Sequence, residues 1–196
     1  MAQPKGQDKT SYFVLQTVKI FQKMTTLKEV ELVAKVAHDN TNHKYNGLPY
    51  WFHLQEVFYI TRDNINVWNG VSQDKSVTTD ELLKAAWLHD IIEDCRYTYN
   101  DVKSIAGETV AEIVYAVTNE KGRNRAERGN DKYYDMIRST PGAQYIKICD
   151  RIANTEYSKK SGSKMFEMYC KELPDFLEKV DPTRKYGGLL NKLISI

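Results

Sequence analysis

The chain has 196 residues, 41% of them hydrophobic and 28% charged, and its 28 Lys and Arg against 26 Asp and Glu give a net charge of +2. This balance is ordinary for one globular domain and argues against a general binding surface for nucleic acid or membranes. The three cysteines are an odd number without metal-site spacing, so we expect no disulfide framework and favour a reducing compartment. The polar start "MAQPKGQDKTS" lacks a signal-peptide core and no apolar run is long enough to span a bilayer, so we expect a cytoplasmic protein with neither a nucleic-acid nor a membrane partner.

Apolar residues recur at helical spacing in almost every segment of the chain. In order, this spacing predicts helices over 12–24, 27–40, 49–63, 80–94, 99–106, 108–120, 131–140, 143–160, 164–180 and 188–196. Pro49 suits a first helical turn, Thr79 or Asp80 suits the cap of the helix that carries residues 85–94, and Thr98 suits the cap of the helix over 99–106. We predict loops over 64–77 and over the basic stretch "KGRNRAERGN" (121–130), and no alternating β pattern persists. The sequence therefore predicts a single all-α domain, a bundle of about eight to ten helices.

The stretch "AAWLHDIIED" (85–94) places four ionisable groups in six positions of an apolar segment: His89, Asp90, Glu93 and Asp94. On one continuous helix these residues would share a face, because positions three or four apart are neighbours. Carboxylates beside a hydrophobic stripe are costly unless their charge is compensated. A solvated helix end would explain them, and so would a metal.

Two other predicted helices offer similar groups on apolar faces, His53 on one and Asp150 on the other. The mixed set His53, His89, Asp90 and Asp150 suits Mn, Fe or Zn with open water positions better than Ca. A metal there would lower the pKa of a bound water, and Glu93 or Asp94 could hold or deprotonate that water. We therefore favour a divalent-metal site over a solvated helix end.

These residues resemble a known family. The pattern H…HD…D resembles that of the HD-domain phosphohydrolases, and "HDIIED" resembles the HD-x-x-ED signature of the RelA/SpoT-type alarmone hydrolases. The stretches "AHDNTNHKYNGLPYWFHLQEV" (37–57), "YTYNDVKSIAGETVAEIVYAVTNE" (97–120) and "STPGAQYIKICDRIANT" (139–155) are similar to further segments of that branch. The resemblance runs from about 28 to 180 and includes no synthetase or regulatory domain. It implies a small stand-alone hydrolase of the HD type, with a leader and helix over 1–27, a hydrolase core over 28–180 and a C-terminal helix over 181–196 packed on the core.

The resemblance implies roles residue by residue. His53, His89, Asp90 and Asp150 match the ligands of a single metal, typically manganese, and Glu93 and Asp94 match the pair that activates the water. Lys44 and Asn46 fall where the family places Arg and Ser around the nucleotide, and Asn154 matches an Asn near the ribose and base. The implied reaction removes the 3′-pyrophosphate of guanosine tetra- or pentaphosphate, giving GDP or GTP and pyrophosphate.

Some positions depart from the family pattern or leave alternatives open. Lys44 in place of Arg and Asn46 in place of a small hydroxyl weaken the expected guanine preference. Another nucleotide substrate, such as NADPH or a nucleoside phosphate, is therefore an alternative, and a non-catalytic nucleotide sensor is a second. Arg125, Arg128 and Lys147 are candidate phosphate contacts, although exposed basic loops are usually only solvated. His38 and His43 are interpreted as helix-end or loop residues rather than ligands, and an approach of His43 to substrate phosphates is left open. The sequence does not indicate an oligomeric state.

Overall fold

The protein is described by a computed structural model over residues 25–71, 76–119 and 122–196. Within these ranges it contains twelve helices and one two-stranded hairpin, Lys44–Tyr45 (β1) with Leu48–Pro49 (β2). The helices are Leu27–Asn40 (α1), Trp51–Asp63 (α2), Ile65–Val71 (α3), Thr79–Leu88 (α4), Ile91–Cys95 (α5), Tyr99–Ala106 (α6), Glu108–Val117 (α7), Arg125–Arg128 (α8), Asp131–Ser139 (α9), Ala143–Lys160 (α10), Met165–Val180 (α11) and Gly187–Ile194 (α12). Ten of them have seven or more residues, so the predicted all-α fold is confirmed.

Several predicted boundaries agree closely with the structure. The helices predicted over 27–40, 99–106 and 143–160 have those bounds, and Thr98 caps its helix in a reciprocal capping box with Asp101. The cap expected at Thr79 or Asp80 lies one residue earlier, at Thr78. The helix predicted over 12–24 lies outside the described residues, and the division of the chain at 27 and 180 stays a prediction.

Three local predictions are wrong. The loop predicted over 64–77 begins with the helix α3, and the basic loop contains the short helix α8, capped by Asn124. Pro49 does not open a helix, because it pairs with Lys44 in the hairpin and α2 begins two residues later. Asn46 and Gly47 both have positive φ at the tip of this hairpin, and an Asn-Gly pair is the sequence signal for such a turn.

The long helix α10 is the centre of the bundle. It packs against α2, α7, α11 and α12, and α4 packs against α1, α2 and α7. Ile146, Ile148 and Ile152 of α10 are fully buried in the common core, and burying such a side chain contributes about 1.5–3 kcal/mol. This packing brings one face each of α2, α4 and α10 together, although the three helices are far apart along the chain. No helix in the described ranges is both long and apolar enough to cross a membrane.

The chain breaks its helix at His89 and Asp90, where the sequence predicts a continuous one. Helix α4 ends at Leu88 and α5 begins at Ile91, with Asp90 at φ −102° and ψ 0° between them. This backbone conformation lies outside the helical region and is common at functional sites. The break leaves both side chains at a junction between two helices.

Candidate active site

Four side chains converge from three places in the bundle. His53 lies in the first turn of α2, His89 and Asp90 lie at the α4–α5 junction, and Asp150 lies in the middle of α10. The Nε2 atoms of His53 and His89 are 3.2 Å apart. Asp90 Oδ2 lies 3.0 Å from His89 Nε2 and 3.6 Å from His53 Nε2, and Asp150 Oδ1 lies 3.3 Å from His53 Nε2. The four groups therefore surround one point.

Burial and hydrogen bonding direct the two imidazoles toward that point. Both histidines are no more than 2% exposed. The Nδ1 atom of His89 lies 2.9 Å from the carbonyl oxygen of Ala86 and donates to it, since a carbonyl can only accept. In the neutral ring the lone pair is then on Nε2, facing His53. A backbone carbonyl that fixes a tautomer in this way is the usual support for a metal-binding histidine.

The electrostatics of the cluster call for positive charge. Burial disfavours the charged form of His89, yet the carboxylates of Asp90 and Asp150 raise its pKa to about 9. Burial also disfavours both carboxylates, but neighbouring positive groups, His89 for Asp90 and Lys147 for Asp150, hold the pKa of each well below its usual range. Two ionised acids facing two imidazole nitrogens across about 3 Å form a suitable ligand set for a divalent cation. The residues present therefore fit a metal.

A second layer of side chains fixes the two carboxylates. The Tyr50 hydroxyl donates to Asp90 Oδ2 at 2.6 Å, and Asn154 Nδ2 donates to Asp150 Oδ1 at 2.6 Å. Lys147 Nζ lies 2.9 Å from Asp150 Oδ2, and this carboxylate raises the pKa of Lys147 well above its usual value despite burial. Lys147 therefore lines the cleft but also holds Asp150 in place.

The Glu-Asp pair lies at the rim of the cluster. Glu93 is exposed and accepts a hydrogen bond from Asn119 Nδ2 at 2.9 Å. Asp94 is partly buried, with Oδ2 3.3 Å from His43 Nδ1. Burial, together with the nearby charges of Asp90 and Glu93, raises the pKa of Asp94 to about 7. A carboxyl with such a pKa exchanges a proton readily near neutral pH.

These residues line a cleft of about 740 Å³, a volume typical of a small-molecule site. The acidic wall carries Asp90, Glu93 and Asp94, and the basic wall carries Arg125, Arg128, Lys147 and Arg151. Glu172 connects part of the basic wall, since it pairs with Arg125 at 2.7 Å and with Arg151 at 3.1 Å. The cleft is thus lined by both acidic and basic side chains, and the acids Asp150 and Glu172 lie among the basic residues.

Two predicted substrate residues do not reach this cleft. Lys44 and Asn46 are exposed on the hairpin and line neither the cleft nor the neighbouring groove of about 430 Å³. Tyr45 lies between them in sequence and points inward, because alternate residues of a strand face opposite ways. Its ring stacks on His53 at 5.0 Å, and its hydroxyl donates to Asn154 Oδ1 at 3.0 Å. Asn154, predicted to bind substrate, does line the cleft.

Sequence reasoning did not assign the contacts of several site residues. The Tyr50 hydroxyl donates to the ligand candidate Asp90, and the Tyr45 hydroxyl donates to Asn154, which in turn bonds to Asp150. The side chain of Asn119 donates to Glu93. The Asn-Gly turn signal beside Tyr45 could have indicated the hairpin and hence its inward face. No local signal marks Asn119, which follows α7 and reaches Glu93 across 26 positions.

Comparison with known proteins gives several related sequences. The chain is 32% identical over 129 residues to guanosine-3′,5′-bis(diphosphate) 3′-pyrophosphohydrolase MESH1 of Danio rerio, covering 65% of this chain and 66% of that protein. It is 32% identical over 100 residues to MESH1 of Drosophila melanogaster, covering 51% and 55%. It is 30% identical over 147 residues to the bifunctional (p)ppGpp synthase/hydrolase SpoT of Escherichia coli, covering 72% of this chain and 19% of SpoT. The chain thus spans between about half and just under two thirds of these MESH1 proteins. No family model matches it.

Proposed function

Because this chain is homologous to MESH1 and to the hydrolase region of SpoT, we propose that it is a metal-dependent (p)ppGpp 3′-pyrophosphohydrolase. It would release pyrophosphate from guanosine tetra- or pentaphosphate and leave GDP or GTP. The observation that carries the proposal is the convergence of two buried imidazoles with two carboxylates that line a charged cleft. A bare nucleotide sensor needs no such cluster.

His53, His89, Asp90 and Asp150 would hold one divalent cation, which we propose is Mn²⁺ on the strength of the family resemblance. A cation bound there lowers the pKa of water and polarises a phosphoryl oxygen. We also propose a cytoplasmic location, because the three cysteines, two of them buried, are unpaired.

Glu93 and Asp94 would position the attacking water and take its proton. The water oxygen bonds to the phosphorus next to the ribose 3′-oxygen, and the bond between that phosphorus and the 3′-oxygen breaks. The 3′-oxygen leaves with the electron pair and then takes up a proton. Asn119 keeps the Glu93 carboxylate on the cleft side, where it can hold the water.

The basic wall would bind the phosphates. Arg125 and Arg128 of α8 are both exposed and line the cleft, and the Arg125 guanidinium is paired with Glu172. Lys147 Nζ lies 2.9 Å from Asp150 Oδ2, so a phosphate bound at the metal would lie beside this ammonium group. Charge-assisted contacts of this kind are the strong hydrogen bonds of phosphate sites. The roles of Lys44, Asn46 and Asn154 around the nucleoside stay predictions.

The test is to incubate the purified chain with ppGpp and Mn²⁺ and to quantify GDP and pyrophosphate by ion-exchange chromatography. Asp90→Ala should abolish release, whereas Asp63→Ala, which removes an exposed carboxylate from α2, should leave it unchanged. Turnover that persists in chelator with no detectable metal would refute the mechanism.

A substrate panel separates the alternatives. Preference for NADPH or a 5′-nucleoside phosphate over ppGpp would overturn the alarmone assignment but keep the metal site. Tight ppGpp binding without turnover in Mn²⁺, Fe²⁺ or Zn²⁺ would instead favour a sensor.

A further inference from the structure

A second group of metal-type side chains lies beside the proposed active-site cluster. It consists of His38 at the end of α1, His43 just before the hairpin and Asp94 in α5. One ligand atom from each lies within 4.8 Å of the others. The sequence interpretation of His38 and His43 as helix-end or loop residues did not foresee this grouping.

The spacing within the group suits ligands that share an ion. His43 Nδ1 and Asp94 Oδ2 are 3.3 Å apart but are not aligned for a hydrogen bond. Two ligands at about 2.1 Å from a tetrahedral ion lie roughly 3.4 Å apart. The two atoms therefore already have the spacing of one edge of such a site, and the most distant pair needs to close by at most about 1.4 Å.

His38 supplies an independent observation. Its side chain is 0% exposed, and neither ring nitrogen has a hydrogen-bond partner among the described residues. A buried polar atom left unpaired costs about 1–3 kcal/mol. Burial lowers the pKa of His38 to about 4 against the opposing charge of Asp90, so the ring is neutral at pH 7 with a lone pair available to a ligand.

The surrounding charge and packing favour a cation. Asp90, Glu93 and Asp94 lie together on the acidic wall of the cleft. Burial and the charges of the other two carboxylates raise the pKa of Asp94. The Tyr50 ring lies between the two clusters, stacked at 3.9 Å on His43 and 4.7 Å on His38, while its hydroxyl binds Asp90. The stacked Tyr50 ring thus holds both histidine rings beside the carboxylates of the acidic wall.

We propose that His38, His43 and Asp94 form a second divalent-cation site, adjacent to the His53–His89–Asp90–Asp150 cluster. Two imidazoles and one carboxylate select a transition cation such as Zn²⁺ or Mn²⁺ over Mg²⁺ or Ca²⁺. The proposal concerns binding alone and does not depend on the reaction proposed above.

The experiment counts metal in the full-length chain. Metal-free protein is dialysed to equilibrium against Mn²⁺ or, separately, Zn²⁺, at increasing concentrations until binding saturates, and metal per chain is measured by mass spectrometry. His43→Phe removes the ligand but retains a ring to stack on Tyr50, so it is the main variant. His53→Gln removes a ligand of the first cluster, and Asp39→Asn is a matched control because Asp39 is exposed next to His38.

The wild type and Asp39→Asn should bind two ions, and His43→Phe and His53→Gln should each bind one. An anomalous difference peak beside His43 Nδ1 in Mn²⁺-soaked crystals would locate the second ion. One ion in both the wild type and His43→Phe would overturn the second site, and so would two ions in both. Loss of the single ion in His53→Gln but not in His43→Phe would leave the first cluster as the metal site and exclude this one.

Discussion

The hydroxyl of Tyr50 offers a clean perturbation of the candidate metal centre. It donates at 2.6 Å to Asp90 Oδ2, the same oxygen that faces His89 Nε2 at 3.0 Å. Tyr50→Phe deletes this hydrogen bond and keeps the ring that stacks on His43. The change therefore tests whether the hydroxyl orients a metal ligand.

The expected magnitude follows from the type of bond. A buried hydrogen bond to an ionised acceptor contributes about 1.5–3 kcal/mol, and each 1.4 kcal/mol is about tenfold in an equilibrium constant. If the bond mainly orients Asp90 for the cation, Tyr50→Phe raises the Kd for Mn²⁺ about 10–100-fold. The same range is typical when the hydrogen-bond partner of a metal ligand is removed.

Binding of Mn²⁺ is measured by equilibrium dialysis. The Kd to be compared is that of the ion that is lost in the His53→Gln variant. Tyr59→Phe is the matched control, since it deletes an exposed hydroxyl of α2 that bonds to Gln55 rather than to any residue of the cluster. Its Kd for Mn²⁺ should stay within twofold of the wild type. A Kd for Tyr50→Phe that is also within twofold would refute the positioning role of Tyr50.

Three further predictions concern catalysis, stability and pH. Glu93→Gln should lower kcat for ppGpp by about 10²–10⁴-fold with an unchanged Kd for Mn²⁺, because in the proposed mechanism Glu93 helps to take the proton of the attacking water; a variant retaining more than a tenth of kcat would contradict this role. Asp181→Ala should lower the free energy of unfolding in urea by about 3 kcal/mol, since its fully buried carboxylate accepts from the backbone N–H groups of Lys185 and Tyr186; a loss below about 1 kcal/mol would rule out this loop-fixing role. The folded pKa of His38, about 4, lies below its unfolded value of 6.5. The unfolded chain therefore binds its proton first, and metal-free protein should lose up to about 3 kcal/mol as the pH falls from 6.5 to 4. Thermal unfolding in chelator checks this, and a pH dependence that His38→Gln leaves equally steep would be incompatible with it.

Sequence reasoning was most successful where structure is set by neighbouring residues. The helices over 27–40 and 143–160 follow from apolar spacing, and the cap at Thr98 follows from its capping-box pair with Asp101. It failed at α3, because the segment Ile65–Val71 is only seven residues long and contains the weak helix formers Asn66, Asn69 and Gly70. It also failed at the His89–Asp90 break, because both halves of the motif continue the helical pattern.

The candidate site shows the same division between local and distant information. Its ligand types were predictable because carboxylates and imidazoles on apolar faces are unusual and match a known motif. Their convergence is a property of packing, since His53 and His89 lie 36 positions apart and their nitrogens meet only when α2 packs on α4.

The amino-acid sequence by itself determined the helical composition, the capping of individual helices and the chemical kind of site, since these depend on side-chain types within one or two turns. Only the tertiary structure decided that Tyr45 rather than Lys44 faces His53, that Lys147 pairs with Asp150, and that His38 and His43 lie beside Asp94. Such contacts depend on how helices rotate and approach one another when a shared core is buried. That outcome is fixed by the free energy of the whole bundle and is not encoded in any short stretch.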